Sequence, residues 1–156
     1  MSKQISESDF TNNLYAILEE TFEAHHGVYL DKGDSLFLTL AGITADEASQ
    51  PVGGKCATLA AQVAHVNFYL EVLEIYTQGQ QPGKVDWGEI WRTVGAVTQA
   101  EWEQSIQELR QTYERIMAML RGFEQWNEDS IGGAMAMAIH TAYHLGEIRQ
   151  ALCTLR

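Results

Sequence analysis

The sequence predicts an all-α fold, a bundle of four helices, and three observations carry this prediction. Long segments show apolar residues at spacings of three and four, which is typical of amphipathic helices. No stretch reads as a run of alternating strands. The only prolines, Pro51 and Pro82, fall in connections. Because 156 residues suffice to bury a core, we expect a single domain over residues 1–156.

The first long helix is predicted to begin near Ser6 or Ser8, since either side chain is a suitable cap. Its apolar stripe starts at Phe10 and includes Phe22. Gly27 is a suitable terminator, because glycine adopts the backbone conformation that commonly ends a helix. We therefore expect a helix of four or five turns that ends near this glycine.

The second long helix follows a segment rich in helix breakers. Residues 33–43 predict either a short helix or an irregular packed segment, and residues 44–55 predict a connection. An apolar stripe then indicates a helix from Lys55 or Cys56 to about Tyr76.

The last two long helices have clearer sequence signals. Thr98 precedes Glu101 by three residues, which is a capping box, and apolar residues follow at helical spacing to Leu120. The fourth helix is predicted to open near Ser130 and is apolar over most of its first half. The long connections between helices leave room for one or two short extra helices.

Two histidines on this fourth helix are the most informative pair in the sequence. His140 and His144 are four residues apart, so they lie on one helix face, and Glu147 continues that face. Two imidazoles on adjacent turns have the geometry to chelate one divalent ion. Thr141 stands where a zinc metalloprotease would need its glutamate, so protease activity is not expected.

A third histidine, His65, borders the apolar stripe of the second helix and is the candidate to complete a three-histidine site. Tyr69 is one turn further along the same face. The alternative for all three histidines is a structural role, with each buried imidazole hydrogen-bonded to a neighbour. His25 and His26, at the end of the first helix, are expected to be structural, favoured there by the helix dipole.

The composition of the chain excludes several classes of partner and location. The chain has 10 Lys and Arg against 21 Asp and Glu, a formal net charge of −11, which disfavours nucleic acid as a partner. No apolar run has the roughly 20 residues that span a bilayer. The first ten residues lack the apolar stretch of a signal peptide, so a cytoplasmic location is expected. Cys56 and Cys153 form no CxxC motif and no disulfide framework.

Two motifs give the chain a resemblance to a known family. "GGKCATLAAQVAHVNFYLE" and "HTAYHLGEIRQAL" are similar to the metal-site segments of the DinB/YfiT-like superfamily of metal-dependent four-helix bundles. The resemblance extends over nearly the whole chain in helix order. It implies a divalent ion, zinc or nickel, held by His65, His140 and His144. It also implies a homodimer and, in some relatives, transfer reactions that use a low-molecular-weight thiol.

The resemblance leaves two functions open. The first is a metal-dependent enzyme, a transferase or hydrolase, in which the ion activates a thiol or water toward a small-molecule substrate. Glu147 and Tyr69 would then support the metal ligands, with a fourth ligand or a polar residue at the helix edge as the alternatives for Glu147. The second is a non-catalytic dimeric scaffold or small-ligand binder with structural histidines. Relatives often carry an arginine after the last histidine, where this chain has Leu145-Gly146-Glu147, which argues against an anionic substrate or thiol.

The tryptophan-containing segment "VDWGEIW" lies in the connection before the third helix. We expect Trp87 and Trp91 to serve ordinary packing. The alternative is that they fold over the end of the bundle and shape a pocket.

Overall fold

The computed structural model describes residues 4–156, and every regular element in that range is helical. The prediction of an all-α fold is therefore confirmed. None of the helices in this part of the chain is both long and apolar enough to cross a membrane. The elements are α1 (Glu7–Phe22), α2 (Leu36–Leu40), α3 (Ala45–Ala48), a 3₁₀ turn (Val52–Gly54), α4 (Leu59–Thr77), α5 (Glu89–Thr93), α6 (Gln99–Arg121) and α7 (Glu128–Leu155).

Side-chain caps fix the starts of the three longest helices. The predicted capping box of α6 is present: the Thr98 hydroxyl accepts a hydrogen bond from the Glu101 N–H. α7 begins at Glu128, close to the predicted start near Ser130, and the Asn127 side chain caps it by accepting from the Ser130 N–H.

The start of α4 lies later than the sequence predicted. The prediction of Lys55 or Cys56 is wrong, because the 3₁₀ turn and two glycines with positive φ, Gly53 and Gly54, precede that point. The Thr58 side chain then caps α4 by accepting from the Ala61 N–H.

The end of α1 also differs from the prediction. The helix stops at Phe22 rather than near Gly27. The carboxylate of the fully buried Glu20 accepts hydrogen bonds from all five backbone N–H groups of residues 26–30, at 2.6 to 3.2 Å. These N–H groups are therefore satisfied outside the helix, and Gly27 turns the chain with φ of 76°.

The four long helices, α1, α4, α6 and α7, contribute to one hydrophobic core. α4 contacts both α6 and α7, and α1 contacts α7. α7 approaches the end of α4 closely at Gly133, where a Cβ would overlap the hydroxyl of Thr77. This contact fixes the two helices that carry the three histidines against one another.

Candidate metal centre

His65, His140 and His144 meet between α4 and α7. One nitrogen of each imidazole lies within 4.8 Å of the others, and the ring centroids are 4.5 to 5.1 Å apart. Within residues 4–156 they are the one group of three histidine, cysteine or acidic side chains so placed. His65 is 75 positions before His140 in the sequence, so the packing of the two helices brings it to the pair.

Two nitrogens in this cluster are buried and have no hydrogen-bond partner. They are Nδ1 of His65 and Nε2 of His140. His65 is 8% exposed and His144 is 5% exposed. A buried polar atom without a partner costs about 1–3 kcal/mol, so native structures rarely leave two together. A metal ion bound by the imidazoles would satisfy such atoms.

The third imidazole is oriented by two acceptors. Nδ1 of His144 lies 2.6 Å from Oε1 of Gln62 and 2.8 Å from Oε2 of Glu147. Because a carboxylate only accepts, Nδ1 carries the proton and Nε2 keeps its lone pair. Support of this kind is typical of metal-binding histidines.

Aromatic rings of α4 and α5 pack against the histidine cluster. Tyr69 stacks on His140, with centroids 3.5 Å apart and planes inclined by 16°. Trp91, from α5, lies against His65 at 4.4 Å between centroids. Trp87 contacts Tyr69 at 5.6 Å. Trp87 and Trp91 are 46% and 40% exposed and lie outside the hydrophobic core, so they contact the site residues from the surface rather than serving ordinary core packing.

Burial keeps the three imidazoles neutral. It lowers the pKa of His140 to about 4, with the neighbouring His144 and His65 adding to the effect. Burial also lowers the pKa of His65, reinforced by His144 and opposed by Glu147. The pKa of His144 is lowered by burial and partly restored by Glu147. Neutral imidazole is the form that binds a metal ion.

The three imidazoles could hold a metal ion after a small movement. Two nitrogens on a tetrahedral ion with bonds of about 2.0 Å lie about 3.3 Å apart. The observed limit of 4.8 Å exceeds this by an amount that side-chain rotation can close. A three-histidine set leaves at least one coordination position open.

The other two histidines lie outside this cluster. Nδ1 of His25 is 3.3 Å from the Glu20 carboxylate, and Nε2 of His26 is 3.4 Å from the Glu19 carboxylate. Both lie beyond the end of α1 and contact acidic side chains of that helix.

Sequence reasoning missed Gln62 as a neighbour of the site. The residue is three positions before His65, so helical spacing alone indicated a shared face. A glutamine at that spacing carries little information, however, until its contact with His144 is known.

Comparison of the chain with protein-family models, with curated proteins and with solved structures found no match.

Proposed function

We propose that this chain is a metal-binding protein with a DinB-like four-helix bundle, in which His65, His140 and His144 hold one zinc or nickel ion. The observation that supports it most strongly is the pair of buried, unpartnered imidazole nitrogens in one cluster. Imidazole nitrogens suit either metal.

The structural-histidine alternative accounts less well for these contacts. Histidines kept for stability should have hydrogen-bond partners. Among the three histidines, within residues 4–156, only His144 has such partners, the side chains of Gln62 and Glu147. Buried imidazole nitrogens without a partner, here Nδ1 of His65 and Nε2 of His140, also destabilise the fold unless something binds them. A ligand-binding role offsets that cost.

The surrounding residues support an enzyme better than a storage site. Glu147 and Gln62 hold the His144 ring, Tyr69 and Trp91 pack against the other two imidazoles, and three ligands leave a coordination position open for a substrate. When bound, the ion would supply a Lewis acid that polarises a substrate or activates a nucleophile. We therefore propose a metal-dependent transferase or hydrolase that acts on a small molecule. A thiol co-substrate, a homodimer and a cytoplasmic location stay predictions.

The test is metal content by elemental mass spectrometry on protein purified without chelator or nickel resin. We expect about one equivalent of zinc or nickel in the wild type and a loss of most of it in His65→Ala, His140→Ala and His144→Ala. His25→Ala is the matched control, because His25 contacts Glu20 away from the cluster. Circular dichroism checks that each variant is folded.

Folded wild-type protein that takes up neither metal, even after incubation with zinc and nickel salts, would rule the proposal out. So would metal that stays bound in all three cluster variants.

A further inference from the structure

A groove of about 510 Å³ opens beside the three histidines. It runs between the start of α4 and the C-terminal half of α7, and the segment around Val52 closes one side. Gln62 and Glu147 line it, and these are the two side chains that contact Nδ1 of His144. Gln62 and Glu147 therefore lie between the groove and the histidine cluster.

The chemistry of the groove is apolar with one negative charge. Val52 and Ala151, both partly exposed, supply apolar surface, while Gln150 and Thr154 are polar and uncharged. Glu147 is the one carboxylate among the lining residues, and no lysine or arginine is among them in the described part of the chain.

The charge of Glu147 is not neutralised by a basic side chain within residues 4–156, where its one ion-pair partner is His144. Several other glutamates bind an arginine instead: Glu19 binds Arg121, Glu47 binds Arg156 and Glu74 binds Arg115. A carboxylate with no lysine or arginine partner beside an apolar groove, in a chain of net charge −11, repels anions and attracts cations.

We propose that this groove binds a small organic ammonium ion, with its nitrogen beside Glu147 and its carbon chain along Val52 and Ala151. The exposed ring of Tyr143, which also lines the groove, offers a face for the cation. As the substrate class of the histidine site, the inference rests on the proposed function. Binding in the groove does not require a metal.

The test compares three probes with the same carbon chain: n-hexylammonium, n-hexanol and hexanoate. Binding to chelator-treated protein is followed by NMR chemical-shift changes. We expect hexylammonium to bind about tenfold tighter than hexanoate, with hexanol between them. Glu147→Gln should remove most of the preference for the ammonium ion and leave hexanol binding nearly unchanged.

Two glycines of α7 allow a matched test of where the ammonium ion binds. Gly146 lines the groove, and an added Cβ there meets no atom within 4 Å, so the side chain of Gly146→Leu starts in open space and occupies part of the groove. Gly132, on the same helix, has equally open surroundings and is outside the groove. We expect Gly146→Leu to abolish hexylammonium binding and Gly132→Leu to retain it.

Hexanoate binding as tight as hexylammonium, no binding of any probe, or binding that survives Gly146→Leu would each overturn the inference. The metal content of the same preparations separates the two proposals. One equivalent of metal without ammonium binding would rule out only the ammonium site in the groove. Ammonium binding without metal uptake would rule out only the three-histidine metal site.

Discussion

The imidazole of His140 lies nearly parallel to the ring of Tyr69, with the two centroids 3.5 Å apart. Tyr69 belongs to α4 and His140 to α7, so the stack joins the two helices at the histidine cluster. It also restricts rotation of an imidazole whose Nε2 has no hydrogen-bond partner to hold it. In this account the phenol ring positions a metal ligand.

Removal of that ring should weaken metal binding. We expect Tyr69→Leu to lower zinc affinity about tenfold, because positioning partners of metal-binding histidines contribute on that scale. Tyr69→Phe keeps the ring and should retain the wild-type affinity within about twofold. A competition titration with a chromophoric chelator measures both. Equal affinity in Tyr69→Leu and wild type would show that the stack has no positioning role.

The metal-free protein should lose stability as the pH falls from about 6.5 toward 4. The pKa of His140 is about 4 in the fold against 6.5 ordinarily, so the unfolded state binds more protons in this range. Stability is therefore greatest above pH 6.5 and declines on acidification. Urea unfolding with chelator at pH 7.5 and pH 5 measures the decline.

His140→Phe is the control for this pH dependence, because it removes the titrating group and keeps a ring beside Tyr69. We expect the free energy of unfolding to fall less between the two pH values in this variant than in the wild type. An identical fall in both proteins would mean that His140 titrates normally.

Two adjacent glycines of α7 should respond oppositely to alanine. A Cβ at Gly133 would overlap the Thr77 hydroxyl and lie 3.3 Å from its Cα, so Gly133→Ala should cost about 1–3 kcal/mol. Gly132 has open space around it, so Gly132→Ala should stabilise by up to about 1 kcal/mol through helix propensity. Urea unfolding compares them. Stabilisation by both changes would disprove the close approach of α4 and α7.

Glu20 should be more important for stability than its neighbour Glu19. Glu20→Gln replaces a carboxylate that accepts from five N–H groups, so we expect a loss of about 3 kcal/mol. Glu19→Gln removes a partly exposed ion pair with Arg121 and should cost about 1 kcal/mol or less. Chemical denaturation at pH 7 measures the two losses, and equal losses would contradict the account.

The pKa of Glu20 extends this prediction to acid. Burial raises the pKa, but hydrogen bonds from Tyr29, Val28, His26 and Leu30 outweigh it and lower the pKa from 4.5 to about 2. Because the folded-state value is lowered, this contribution is complete above pH 4.5 and is lost as the pH falls toward 2. Glu20→Gln should lose less stability than the wild type over that range.

Local sequence patterns were sufficient for the helical class and for the faces of the long helices. The spacing of His140 and His144 placed both on one face, and the Thr98 and Glu101 pair marked a helix start that the structure confirms. These features depend on neighbours within one or two turns, which is the range over which a sequence pattern carries information.

Longer-range contacts account for what the sequence did not predict. α1 ends early because the Glu20 carboxylate accepts from N–H groups six to ten residues ahead. The spacing of apolar residues gives no sign of a side-chain contact of this kind. The contact between Trp91 and His65 depends on how the connection folds back over α4. His65 faces His140 and His144 because of the way α4 packs against α7. Its position beside the apolar stripe of α4 does not by itself determine this.

The most direct test of the central claim is X-ray absorption spectroscopy at the zinc edge on protein loaded with one equivalent of zinc. We expect zinc bound by three imidazole nitrogens at about 2.0–2.1 Å, together with one or two oxygen ligands. A shell made of oxygen ligands alone, or one with a single imidazole, would place zinc elsewhere on the acidic surface and contradict a site built by His65, His140 and His144.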